Sequence, residues 1–445
     1  MFAHTVSPLT FCITGFSWLV LASILGMATV VGLVHGTPLP PWVRALHVHA
    51  TLVGGVAQII LGGFILLVPP PSSADRKEAD SHPLTFLAMN GGLIGMLMGF
   101  WLHQYLVVAV AGFVVIAAFL SVIYTVWIRA SRVSEFSIKD SCKDSWYYAL
   151  SLFCLVSGSV CGGIVALGYL PESYGYVRLA HIHLVVLGFV VLVVIGMVHH
   201  FLPTVWNHPR LAPQLSRIGT ILIPIGMAVL IGGFLNSSVP IELAAAAVLF
   251  LGGMLWTGTL FRTWLSSSHT GSTASDHLFV SVFFLIFTII LGMLVGANNL
   301  SSPRTLPYGK LHLVAYTHMT FVGFIMNAVM GAFSYMIPII LTTGRVSSHK
   351  KRGAYLDRLT TMMNRWRTVQ IATLNLGTMG LGIVAALSWN VPLTSPYIRV
   401  ASWTSLSCLM TGLVIFSVKL AAIIAKKPDQ LRTGQISTDG LKLTA

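Results

Sequence analysis

Twelve uninterrupted apolar runs of about twenty residues, each long enough to cross roughly 30 Å of hydrocarbon, constrain this 445-residue chain more than any other feature. They fall near 11–35, 44–68, 84–103, 105–127, 147–169, 177–202, 218–236, 241–264, 277–297, 310–341, 367–388 and 398–424. Hydrophobic residues make up 55% and charged residues only 9%, with a mean hydropathy of +0.83. A water-facing surface cannot be built from that composition, so the expected fold is an all-α polytopic membrane protein of about twelve transmembrane helices. The first run is read as a retained helix rather than a removable signal.

Lys and Arg set the expected orientation. Twenty-one of the 26 follow even-numbered runs or the last one, and only Arg44, Arg178, Arg304, Lys310 and Arg399 fall on the other side. Cytoplasmic loops collect positive charge, so both termini are expected in the cytoplasm of a bacterial or archaeal inner membrane. The net charge of +14 then follows from topology and attraction to anionic lipid, without nucleic acid as a partner. The five cysteines, Cys12, Cys142, Cys154, Cys161 and Cys408, form no C-x-x-C pair and no C-x-x-C-H; they are read as free thiols.

The chain repeats itself. HVHATLVGGVAQIILGGFILLVP, HIHLVVLGFVVLVVIGMVHHFLP and YTHMTFVGFIMNAVMGAFSYMIP align without a gap, ending at Pro69, Pro203 and Pro338. Each carries a histidine (His49, His183, His318), a glycine five residues later (Gly54, Gly188, Gly323) and the proline twenty residues later. The repeat implies one membrane domain, 1–445, of three four-helix units at about 1–140, 141–270 and 271–424, with a cytoplasmic tail at 425–445. Helices 2, 6 and 10 are then equivalent about a pseudo-threefold axis.

Two residues before the repeat histidine stand His47, His181 and, in the third unit, Tyr316. At about 100° per residue, positions −2 and 0 lie roughly 200° apart on a helix. Each inner helix therefore offers one side chain to each of two neighbouring clefts. Ionisable residues at matched depth in membrane helices point to function, and imidazoles on facing helices of a bundle are a standard way to hold haem iron. The repeat glycines are expected to let a porphyrin approach the backbone.

At these residues the chain resembles subunit I of the haem-copper oxidase superfamily, closest to the cbb3-type catalytic subunit, over essentially all twelve helices. THMTFVGFIMNAVMGAFSYMIPII is similar to the family's tenth helix, and HVHATLVGG and HIHLVVLGF support the likeness. The resemblance implies a low-spin haem held by His47 and His318, with Tyr316 at the proximal position of the high-spin haem and His183 in the place of a copper ligand. The family's other copper ligands are a pair of histidines on helix 7, and residues 218–236 contain none. No copper is therefore expected. His199 and His200 lie about 24 Å farther along helix 6 than His183 and are read as headgroup-level or capping residues. The twelve carboxylates fall nearly all in loops, with Glu242 alone placed near the outer start of a helix.

Threefold symmetry carries the ligand pair onward: His181 and His49 are expected to hold a second haem b between helices 6 and 2, and His183 with Tyr316 forms an incomplete third pair. Arg304, Lys310 and Arg399 near the outer rim are candidates to meet propionates, and His103 and His312 to meet water or propionates. The leading expectation is a haem b subunit that carries electrons in a respiratory complex, fed at the outer face by a c-type cytochrome or another carrier. Two alternatives stand beside it: a terminal oxidase or nitric oxide reductase with an atypical site, and a transporter or haem carrier.

Overall fold

A computed structural model describes residues 6–67, 82–132, 145–206, 213–267, 271–300, 310–388 and 390–428. Pro69, Cys142, His208, Arg304 and most of the 425–445 tail lie outside these residues. Among the described residues there are helices and no strand, and twelve helices are long and apolar enough to cross a membrane. They are α1 (Pro8–Val34), α2 (Pro41–Leu66), α3 (Pro83–Trp101), α4 (Tyr105–Ile128), α5 (Trp146–Ala166) and α6 (Pro171–His199), then α7 (Ile218–Leu235), α8 (Val239–Ser266), α9 (Thr273–Ala297), α10 (Val314–Arg345), α11 (Arg367–Leu387) and α12 (Pro396–Ala425). A shorter helix, His349–Asn364, joins α10 to α11 at the end of the bundle that bears the chain termini. The protein is a multi-pass membrane protein.

The three inner helices are the most enclosed. In their most apolar windows α2 and α6 are 67% buried and α10 is 78%, against 22–44% for the other nine. Residues seven, ten and eleven positions after the repeat histidine line one apolar cavity of about 50 Å³: Val56, Val190 and Ile325 head the three sets. Equivalent positions from three helices facing a common space define the pseudo-threefold axis.

Around this centre the outer helices close three arcs. Each inner helix packs on the helix that follows it, α2 on α3, α6 on α7 and α10 on α11. The units join where α12 meets α1, α4 meets α5 and α8 meets α9. The chain thus encloses three clefts: between α10 and α2, between α2 and α6, and between α6 and α10.

One regularity has no counterpart in the sequence expectations. All three inner helices switch from α to π hydrogen bonding at the residue after the repeat histidine: Ala50–Ala57, Leu184–Val191 and Met319–Met326. π segments are rare and concentrate at functional sites; three of equal length in equal register make this part of the repeat itself.

The structure corrects the reading of the repeat glycines. A Cβ on Gly54 would stand 2.6 Å from Leu93 and 2.8 Å from Trp18, one on Gly188 2.6 Å from Cys154, and one on Gly323 would run into the Phe284 ring. These are side chains of outer helices in the glycine's own unit. The glycines admit neighbouring helices, which is their usual service in membrane bundles, and do not open the clefts to a porphyrin.

Candidate functional site

Five imidazoles stand at the mouths of the clefts, in the α-helical turns that precede the π segments. The Nδ1 of His47 donates to the carbonyl of Ala22 on α1 at 2.8 Å, and that of His181 to the carbonyl of Gly158 on α5 at 2.7 Å. The other three bond within their own helices: His49 to Ala45 and His183 to Leu179, both at 2.9 Å, and His318 to Val314 at 2.8 Å. A carbonyl oxygen only accepts, so in each ring Nδ1 carries the proton and Nε2 presents a lone pair. Orienting a ring through one nitrogen while the other stays basic is how proteins prepare metal-binding histidines.

Small residues make room for the rings. Beside His47 lies Gly26, where a Cβ would be 2.7 Å from the imidazole Cε1; beside His181 lies Gly162, with the same contact at 2.8 Å. The third unit keeps the device, with Gly292 on α9 next to the Tyr316 ring at 3.3 Å. Gly26 and Gly162 each stand four residues after the residue whose carbonyl accepts from the −2 histidine: Ala22 for His47 and Gly158 for His181.

The −2 and 0 positions do face different clefts. His49 packs against Phe100 of α3 with ring centroids 4.6 Å apart, and His183 against Phe234 of α7 at 4.7 Å. Both contacts lie in the arc that follows the inner helix, whereas His47 and His181 lean on the helix that precedes it. His47 and His318 lie within electrostatic range of one another, as do His49 and His181. In the third cleft the Tyr316 hydroxyl meets Nε2 of His183 at 3.4 Å. His183 and Tyr316 are thus in direct contact, while the other two pairs act on one another only through space. Among the described residues no three His, Cys, Asp or Glu side chains converge.

Other expected residues fall elsewhere. His199, half-buried at the end of the α6 span, accepts a hydrogen bond from Nε1 of Trp256 on α8 at 2.8 Å. Glu242 occupies the first turn of α8, where a carboxylate complements the helix dipole. His103 lies exposed in the α3–α4 turn at φ 55°. Cys12, Cys154, Cys161 and Cys408 are free thiols.

Helix α12 carries a buried polar feature at each end. Near its start, the Nε of Arg399 and the Oγ of Ser402 are buried without a hydrogen-bond partner. Near its end, Lys419 is only 8% exposed and donates to Gln370 at 2.6 Å. The sequence count had placed it among the loop cations.

The sequence matches no protein-family model and no curated protein.

Proposed function

We propose that this protein is a haem b-binding membrane subunit that passes electrons through two bis-histidine haems, one on His47 and His318 and the other on His49 and His181. The observation that carries the reading is the set of pinned Nδ1 atoms: four imidazoles at matched positions of the inner helices, each bonded to a carbonyl through Nδ1 and left with a free Nε2 lone pair.

The clefts suit such a group. Haem iron with two imidazole ligands cycles between ferric and ferrous states without an open position for oxygen. Gly26 and Gly162 leave room for the His47 and His181 rings beside α1 and α5. On the arc α10–α11–α12–α1–α2, Arg399 and Ser402 bring two buried, unpartnered polar atoms to the histidine end of the bundle. Buried polar atoms are normally satisfied, and a propionate carboxylate supplies the acceptor that a guanidinium and a hydroxyl lack.

The histidine end corresponds to the outer face and the terminal end to the cytoplasm of an inner membrane, in accord with the distribution of Lys and Arg. Electrons then enter from an outer-face carrier such as a c-type cytochrome, within a complex of further subunits.

The competing reading is a catalytic oxidase or nitric oxide reductase. It needs an open iron position, and the third cleft is the place for one. A reduced-minus-oxidised spectrum of the purified chain, taken with and without CO, separates the two. Electron transfer alone predicts a b-type α band that CO does not perturb; a CO-shifted Soret band contradicts it, and absence of any haem band removes both readings.

A further inference from the structure

Behind the cleft between α10 and α2, a second polar cluster is buried toward the terminal end of the bundle. Lys419 Nζ donates to Gln370 Oε1 at 2.6 Å, and Gln370 Nε2 donates to His277 Nε2 at 2.6 Å. His277 Nδ1 donates to Asn327 Oδ1 at 2.7 Å, and Asn327 Nδ2 donates to the Gly323 carbonyl at 2.7 Å and to Asn375 Oδ1 at 2.9 Å. His277, Gln370 and Asn327 are fully buried. In this arrangement His277 donates from Nδ1 and accepts at Nε2, so it is neutral and any positive charge lies on Lys419.

The cluster has room for one proton in two places. Were His277 to take a proton on Nε2, Gln370 would have to turn its amide over and offer Oε1 to the ring. Its NH2 would then face Lys419, which only a neutral amine can accept. The Gln370 amide thus allows a charge on Lys419 or on His277, and opposes both at once.

The surroundings neither neutralise nor duplicate that charge. On α9 and α11 the nearest ions are Asp276 and Arg367, paired with each other at 3.1 Å and about one-third exposed. Helix α1 carries no charged residue, and on α10 Arg345 is spent on the carbonyls of Ile424 and Lys426 beyond Lys419. The His349–Asn364 helix packed on α12 brings His349, Lys350, Lys351, Arg352, Asp357 and Arg358, and its Tyr355 bonds the Lys426 carbonyl at 2.6 Å.

The cluster also belongs to one unit only. Asn327 stands nine residues after His318; the same position is Gln58 in the first unit and Leu192 in the second. Through Asn327, which stands roughly 13.5 Å along the helix from His318, the cluster ends on the Gly323 carbonyl, inside the π segment that begins beside His318.

We propose that the Lys419–Gln370–His277 cluster is a proton-binding site, loaded from the terminal face, that takes up a proton when the haem on His318 is reduced. This rests on the haem reading above. An electron arriving in a low-dielectric interior raises the affinity of nearby bases for protons, and this is a buried base cluster tied by hydrogen bonds to the ligand-bearing helix. The balance is simple: the iron gains one electron from its donor, a proton from water forms an N–H bond in the cluster, and nothing else is made or broken.

The test is the midpoint potential of the haems in the purified full-length chain from pH 5.5 to 9, for the natural sequence, Lys419→Met and Lys419→Arg. In the natural chain the potential of one haem falls as pH rises, because reduction carries a proton with it. Lys419→Met leaves His277 as the only base of the cluster, so the slope moves to lower pH and the potential stays low above it. Lys419→Arg abolishes the slope and leaves the potential high, since the guanidinium holds its charge throughout. A structural role alone would shift both variants alike and keep the slope, and that result overturns the proposal. So does a natural chain without a slope. If no variant and no natural chain shows a haem band, the haem reading has failed and this proposal falls with it; a normal band with unchanged slopes rejects the proton site alone.

Discussion

The hydroxyl of Tyr316 lies 3.4 Å from Nε2 of His183, so the third cleft closes on a phenol–imidazole pair where the other two present paired imidazoles. Since His183 Nδ1 already donates to Leu179, Nε2 is the acceptor and the tyrosine the donor. The third cleft is thus spanned by a hydrogen bond between the inner helices α10 and α6.

Restoring the missing imidazole should therefore restore a site. Tyr316→His places histidine at the −2 position beside Gly292, in the setting His47 has beside Gly26 and His181 beside Gly162. The haem content of the purified variant, measured as pyridine haemochrome, should rise by about half over the natural chain. An unchanged content would show that cleft shape, and not ligand supply, limits occupancy.

Crowding the rings should remove haems one at a time. Gly26→Ala puts a methyl 2.7 Å from the His47 ring and Gly162→Ala one 2.8 Å from that of His181, whereas Gly91, with nothing within 4 Å of its would-be Cβ, is the control. Real Cβ contacts that short force the neighbour to move. Each of the first two variants should lose about half the haem absorbance, and Gly91→Ala none.

Arg399 should act on one haem only. Replacing it by Gln removes a cation from the outer rim of one arc, which favours the oxidised iron by about 1 kcal/mol at an effective dielectric near 20. A redox titration should show one potential lowered and the other unmoved. Equal shifts in both would separate Arg399 from the His47–His318 cleft.

Trp256 should matter for stability alone. Its indole donates to His199 at 2.8 Å inside the bundle, and polar contacts between membrane helices contribute about 0.5–2 kcal/mol. Trp256→Phe should lower the thermal midpoint in detergent while leaving the visible spectrum unchanged; a lost or shifted α band would implicate His199 in cofactor binding.

Much of this architecture is legible because a membrane imposes simple rules. Apolar run length marks each helix, and a His–Gly–Pro spacing held across three segments reveals the repeat and the two-faced use of positions −2 and 0. What escapes sequence reading is whatever depends on hydrogen bonding or on which neighbour fills a gap. Nothing in ATLVGGVA, LVVLGFVV or MTFVGFIM announces a π segment, since the change is in backbone partners. Gly54, Gly188 and Gly323 do signal a close approach, but Trp18, Cys154 and Phe284 are what approach. Lys419, six residues before the end of α12, reads as one more flanking cation until Gln370 is seen beside it. The signal available in advance was the presence of polar residues within apolar runs: His277 and Gln370 near the starts of two, and Asn375 and Asn327 deeper in the eleventh and tenth.

The central claim is that four histidines hold two haems, and counting haem per chain tests it most directly. Pyridine haemochrome analysis should give two haems b for the natural protein, one for His318→Ala, one for His49→Ala and none for the double variant. A natural chain without haem, or single variants that keep both, would contradict the account.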